Sequence, residues 1–91
     1  MAESIFDFVI TPHAERAMLR RGVDPRVVHE VLAAPDDRRE IRPGREVLQS
    51  LIEFPAGLYL VRVFVDVATH PPAVVTVYRT SKIGKYWSRS S

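Results

Sequence analysis

Cysteine is absent from all 91 residues, so neither a disulfide framework nor thiolate metal ligation is open to this chain. Its histidines, His13, His29 and His70, are never three or four residues apart, so the usual helical spacing of a metal pair is missing too. No GxGxxG, Walker loop, nucleophile elbow or metal-ligand pair occurs, so nucleotide kinase and metallohydrolase readings lack support. No apolar run approaches the length of a membrane span. The opening MAESIFDF carries acids where a secretion signal would carry basic residues. These absences point to a soluble cytoplasmic protein with no metal, no cofactor and no membrane contact. Acid is also missing after Asp66. Residues 67–91 hold Arg79, Lys82, Lys85 and Arg89 for a balance of +4, against −2 for residues 1–66. Such polarity fits either an anionic partner for one face or a basic terminus that serves solubility.

What is present reads as one small α+β domain. Nearly half the residues are apolar and about a quarter charged, which is ordinary globular composition. Residues 5–10, IFDFVI, read as a first strand with Phe6, Phe8 and Ile10 on one face. Thr11-Pro12 then starts a helix, threonine as N-cap and proline where a missing N–H costs nothing; Gly22 ends it. Ala14, Ala17 and Met18 form its buried stripe, with the stem of Arg21 at the margin. His13, Arg16 and Arg20 share a neighbouring face. Asp24-Pro25 repeats the start signal for a second helix with Val27, Val28, Val31 and Leu32 inward, ended by Ala33-Ala34-Pro35. This helical hairpin is a poor DNA reader, since the second helix presents only Arg26, His29 and Glu30 outward.

Four strands are expected beyond it: a polar edge over 36–42, then 45–54, 58–66 and a last strand from residue 73, with turns at Pro43-Gly44 and Pro55-Ala56-Gly57. Residues 58–66, LYLVRVFVD, are apolar on both faces, as a central strand is. The expected architecture is an N-terminal strand and helical hairpin packed on a twisted antiparallel sheet of about four strands, with a short C-terminal helix. The tail from Ser88 to Ser91 is expected to be loose.

The stretch AVVTVYRTSKIGKYW, residues 73–87, concentrates the chemistry. By alternation Val75 and Val77 face one way, and Val74, Thr76 and Tyr78 the other. The strand then delivers Arg79, Thr80, Ser81, Lys82, Lys85, Tyr86 and Trp87 to one place, a set suited to holding a phosphate and stacking a base. Alternatively, Tyr86 and Trp87 seal the core and the lysines are simply solvated. Arg62 interrupts an apolar strand, so it needs a cross-strand acid, Glu53 or Asp66, or it opens onto a groove. With suitable register Arg62 and Arg79 share one sheet face, where two planar cations could stabilise the charge of a phosphodiester transition state. His13, in the first turn of a helix, could act as general base on a ribose 2′-hydroxyl, with Arg16 holding the adjacent phosphate; a surface or capping role is the plainer alternative.

Three segments together, ITPHAERAMLRRGVDPRVVHEVLAAPD at 10–36, RPGRE at 42–46 and VVTVYRTSKIGKYW at 74–87, resemble an uncharacterised domain family placed within the RelE/ParE-like toxin superfamily. The likeness covers nearly the whole chain. Its most specific parts are the helix motif from His13 to Gly22 and the terminal motif from Val77 to Trp87. In the first, the methionine follows Ala17 rather than the arginine, a departure of one place. The resemblance implies a RelE-like fold, a helical hairpin on a twisted sheet with a concave basic face. It also implies a toxin of a type II toxin–antitoxin system, with RNA, in some relatives on the ribosome, and an antitoxin protein as partners. Some relatives are metal-independent RNA endonucleases (mRNA interferases) that leave a 2′,3′-cyclic phosphate; others bind a different target without cutting. Residue by residue, His13 and Arg16 match the helix motif. Arg79, Thr80, Ser81, Lys82, Lys85 and Tyr86 match the terminal motif, and Arg62 only a general pattern of sheet cations.

In the nuclease reading His13 is base or acid, Arg62 and Arg79 stabilise the phosphorane, Tyr86 joins the catalytic set, and Tyr86 or Trp87 stacks a base. Arg16, Arg20, Thr80, Ser81, Lys82 and Lys85 then hold the nucleic acid. Two alternatives stand beside it: a non-catalytic RelE-fold binding module for a protein or nucleic acid, and an orphan domain with no anionic ligand.

Overall fold

Side chains at the two Xaa-Pro steps start both helices in the computed structural model, which describes residues 3–87. Thr11 Oγ1 accepts from the Ala14 N–H at 3.2 Å to open α1 (Pro12–Arg21). Asp24 Oδ1 accepts from the Arg26 N–H at 2.8 Å to open α2 (Pro25–Ala33). Each cap satisfies a backbone donor that the first helical turn leaves unpaired. Gly22 ends α1 in the left-handed region, φ 67° and ψ 37°, and its N–H donates to the Met18 carbonyl.

The remaining elements are β1 (Val9–Ile10), β2 (Asp37–Arg42), β3 (Arg45–Phe54), β4 (Gly57–Asp66), β5 (Ala73–Thr80) and the short α3 (Ile83–Tyr86). They form a five-stranded sheet in the order β1-β5-β4-β3-β2. β2 to β5 are the expected antiparallel meander; β1 joins β5 in parallel, so the sheet is mixed rather than four-stranded and antiparallel. The α+β class holds. Among the described residues no helix is long and apolar enough to cross a membrane. Ser88 to Ser91, the expected loose tail, and the cation Arg89 lie outside the described residues.

Two sequence expectations fail for local reasons. The first strand shrinks from six residues to two because its early part serves α2 instead. The Ile5 N–H donates to the Leu32 carbonyl at 2.8 Å and the Ser4 hydroxyl to the Ala33 carbonyl, two acceptors that α2 leaves unpaired at its C-terminus. Ile5 is thereby buried and Phe6 stands 76% exposed. In β5 the pairing steps from Phe64↔Thr76 to Val65↔Val74, so Val75 is an extra, bulged residue. The bulge turns Val74, not Val75, onto the side of Val77, and both are fully buried.

One sheet face, formed by Leu48, Val61, Val63, Val65, Val74 and Val77, packs under Ala14 and Met18 of α1 and Val28, Val31 and Leu32 of α2. Burying each such valine or leucine contributes roughly 1.5–3 kcal/mol, which makes this layer the main source of stability. α1 lies along β5 and runs in the same direction. At its start the Thr11 N–H donates to the Val74 carbonyl, and at its end Arg21 Nη1 donates to the Val77 carbonyl at 2.9 Å. That second bond uses an edge acceptor that β1 is too short to reach.

Candidate functional site

A row of directly opposed residues crosses four strands on the sheet face away from α1 and α2. Asp37 of β2 faces Gln49 of β3, Gln49 faces Arg62 of β4, and Arg62 faces Tyr78 of β5. Arg62 Nε donates to Gln49 Oε1 at 2.8 Å and Nη1 donates to the Tyr78 hydroxyl at 2.6 Å. The guanidinium also lies 4.6 Å from the ring centre of Tyr86, 5.3 Å from Phe64 and 5.7 Å from Tyr78. α3 thus folds back over this face through Tyr86, which meets Tyr78 edge-on at 6.2 Å. Of the two readings of Arg62, the cross-strand ion pair with Glu53 or Asp66 does not form among the described residues. Glu53 and Asp66 each sit four residues from this row, about 13 Å along their strands. Asp66 instead pairs with Arg45 at 3.6 Å. Every partner of Arg62 among the described residues is neutral, so there its charge is held in place but not cancelled.

Arg79 lies on the other face. Its register partner is Val61, one step from the Arg62↔Tyr78 pair, and successive strand residues point to opposite sides. The expectation that Arg62 and Arg79 share one face is therefore corrected by the register. Arg79 reaches the end of α1 instead, with its guanidinium 4.5 Å from the Phe54 ring centre and 4.7 Å from that of Tyr59. Those two rings meet edge-on, 85° apart, so they cradle the cation from two sides. Gly22 leaves room for it: a Cβ there would stand 3.2 Å from Nη2.

Other cations gather around the same end of β5. Arg21 lies beside Tyr78, 5.9 Å from its ring centre, and Lys85 Nζ stands 5.4 Å from the Tyr86 ring. The Thr80 hydroxyl accepts from the Lys82 N–H at 3.0 Å and fixes the turn into α3; Ser81 and Lys82 are exposed. Tyr86 is half-buried with one face against Arg62. Trp87 is also half-buried, and its indole N–H is buried with no acceptor among the described residues. Tyr86 therefore contributes to the cover of this face rather than standing free.

His13 is not part of this cluster. It is exposed in the first turn of α1, whereas Arg79 meets the helix at Gly22, nine residues and about 14 Å further on. The physical reason is that the head of the helix is tied to Val74 and its tail to Val77. Arg16 and Arg20 lie on the same flank as His13, exposed, with Arg20 in the last turn nearest the cationic end.

The charge distribution sharpens the picture. Among the described residues the ion pairs are Arg38–Glu46, Arg39–Asp37 and Arg45–Asp66, all on β2, β3 and β4. Arg21, Arg62, Arg79, Lys82 and Lys85 take part in none of them. Two faces of one sheet end therefore carry cations that, among the described residues, have aromatic or neutral polar neighbours and no acid partner. The apolar cleft of about 330 Å³ between α1 and α2, lined by Glu15, Met18, Leu19, Val23 and Pro25, contains no cation and is not an anion site.

Gln49 and Tyr78, the two residues that hold Arg62, escape a reading of the sequence for charged or nucleophilic groups. The one signal available is Gln49 itself, a lone amide in the apolar run VLQSLI of a strand that must be central. The chain matches no family model, no curated protein and no solved structure.

Proposed function

We propose that this chain is a RelE-like, toxin-type protein that binds RNA with the cationic end of β5. The observation that carries the reading is the set of five cations there, Arg21, Arg62, Arg79, Lys82 and Lys85, without a carboxylate partner among the described residues. Aromatic rings lie against four of them, Arg21, Arg62, Arg79 and Lys85. Planar guanidinium groups with free N–H edges suit phosphate oxygens, and lysines on a short exposed helix suit a flexible backbone. The likeness of residues 74–87 to the toxin superfamily's terminal motif supports the same reading, and so does the position of that motif at the cationic end. An antitoxin would neutralise this end with an acidic segment.

A second reading, metal-independent RNA cleavage, is favoured by one contact, the 4.6 Å approach of Arg62 to the Tyr86 ring. In it the ribose 2′-hydroxyl attacks the adjacent phosphorus. A 2′-O–P bond forms, the P–O5′ bond breaks, and the 5′ oxygen takes up a proton while the 2′ oxygen loses one. Arg62 stabilises the charge of the phosphorane, and the Tyr86 hydroxyl serves proton transfer. His13 is too distant for that role.

Titrating a fluorescein-labelled oligouridylate with the protein over a range of KCl tests the binding reading. For single strands log K falls with log salt by about 0.7 per phosphate contacted, so three or four contacts give a slope of about −2 to −3. A flat response overturns the proposal. Incubating the same RNA and scoring 2′,3′-cyclic phosphate ends decides between binding and cutting.

A further inference from the structure

Arg62 meets an amide where an acid of the same shape would fit. Gln49 is fully buried, with Oε1 accepting from Arg62 Nε at 2.8 Å and Nε2 donating to Asp37 Oδ2 at 2.9 Å. Asp37 in turn accepts from Arg39 Nε at 2.6 Å. We propose that Gln49 is a positioning residue that fixes Arg62 while leaving its positive charge available to an RNA phosphate. This rests on the RNA-binding reading above and adds the residue that keeps the cation competent.

The direction of the amide is dictated at both ends. An arginine N–H can be met only by the oxygen of Gln49, and the Asp37 carboxylate only by its NH2 group. With the amide locked, Nε of Arg62 is satisfied and one Nη1 hydrogen goes to Tyr78. The remaining Nη1 hydrogen and both Nη2 hydrogens have no acceptor among the described residues. That is the donor edge a bidentate phosphate contact uses.

Charge explains the choice of residue. Holding a half-buried guanidinium with neutral partners costs desolvation that a carboxylate would offset. Glutamate has nearly the shape of glutamine, yet it would pair with Arg62 and cancel the charge a ligand needs. Asp37 keeps its own charge two strand spacings from Arg62, about 9–10 Å, and spends it on Arg39. The row therefore conveys orientation from β2 to β4 without conveying neutralisation.

The test uses the full chain, the labelled oligouridylate and KCl titration. Gln49→Glu is expected to weaken binding about tenfold at low salt and to reduce the size of the salt slope by about 0.7, the share of one phosphate contact. Arg62→Gln is expected to do the same. A purely structural role for Gln49 would lower the melting temperature and leave the slope untouched, which overturns the proposal. Should Gln49→Glu fail to fold beside Asp37, the double variant with Asp37→Asn removes the like-charge contact and carries the same prediction. In the wild type, the Arg62 Nε–H proton is expected to resist exchange with water, and exchange as fast as that of exposed Arg16 overturns the proposal. Binding that Arg62→Gln lowers but Gln49→Glu does not refutes the role of Gln49 alone. Absence of salt-dependent binding by the wild type refutes the RNA-binding reading and this role with it.

Discussion

Replacing Gly22 by alanine is expected to destabilise the domain by about 1 kcal/mol, through two effects of opposite sign to a third. Gly22 holds φ 67° and ψ 37°, a conformation that costs an L-residue with a Cβ roughly 1–2 kcal/mol. The new Cβ would also stand 3.2 Å from Arg79 Nη2, so the guanidinium must shift by a few tenths of an ångström on Phe54 and Tyr59. An exposed cation–π contact is worth about 0.5–1 kcal/mol, and a partial loss costs a few tenths. Against both, alanine restricts the unfolded chain and returns about 0.4–1 kcal/mol. For a domain of this size the net corresponds to a fall in Tm of about 4–8 °C. Urea unfolding of Gly22→Ala, Arg79→Ala and the double variant measures it, with a coupling of about 0.5 kcal/mol expected between the two sites. A neutral or stabilising alanine would refute the left-handed cap, and strict additivity would refute the contact with Arg79.

Three further outcomes follow from the same geometry. Thr11→Ala removes the acceptor for the Ala14 N–H and is expected to cost about 1 kcal/mol in chemical denaturation. Leu48→Ala empties a fully buried site between the sheet and the helices and is expected to cost about 2–5 kcal/mol, measured by urea unfolding. Asp66→Asn breaks only the 3.6 Å contact with Arg45 at the sheet margin, and its effect on stability is expected within about 0.5 kcal/mol.

How far the sequence could be read follows from the range of each interaction. Helix starts at Thr11-Pro12 and Asp24-Pro25 and the stop at Gly22 are local chemistry, set within four residues, and they match the structure. β3 and β4 match nearly to the residue because turn residues bound each of them. The fate of residues 5–8 depended on a competition between the edge of β5 and the open carbonyls of α2, which no short window contains. The face of Arg79 depended on its pairing with Val61, and the facing of Val74 on a bulge at Val75; both are properties of register. The candidate site suffers most from this. Its residue types were legible in the terminal motif, whereas the grouping of Arg62 with Gln49 and Tyr78, and the separation of His13, come from strand pairing and from the course of α1 along β5.

The most direct test of the cationic end is to follow backbone and arginine side-chain resonances while unlabelled oligouridylate is added to isotope-labelled protein. Salt-sensitive shifts confined to residues 20–22, 59–62 and 77–87 are expected. Shifts centred on His13 or on the β2 edge, or no shifts at low salt, would contradict that expectation.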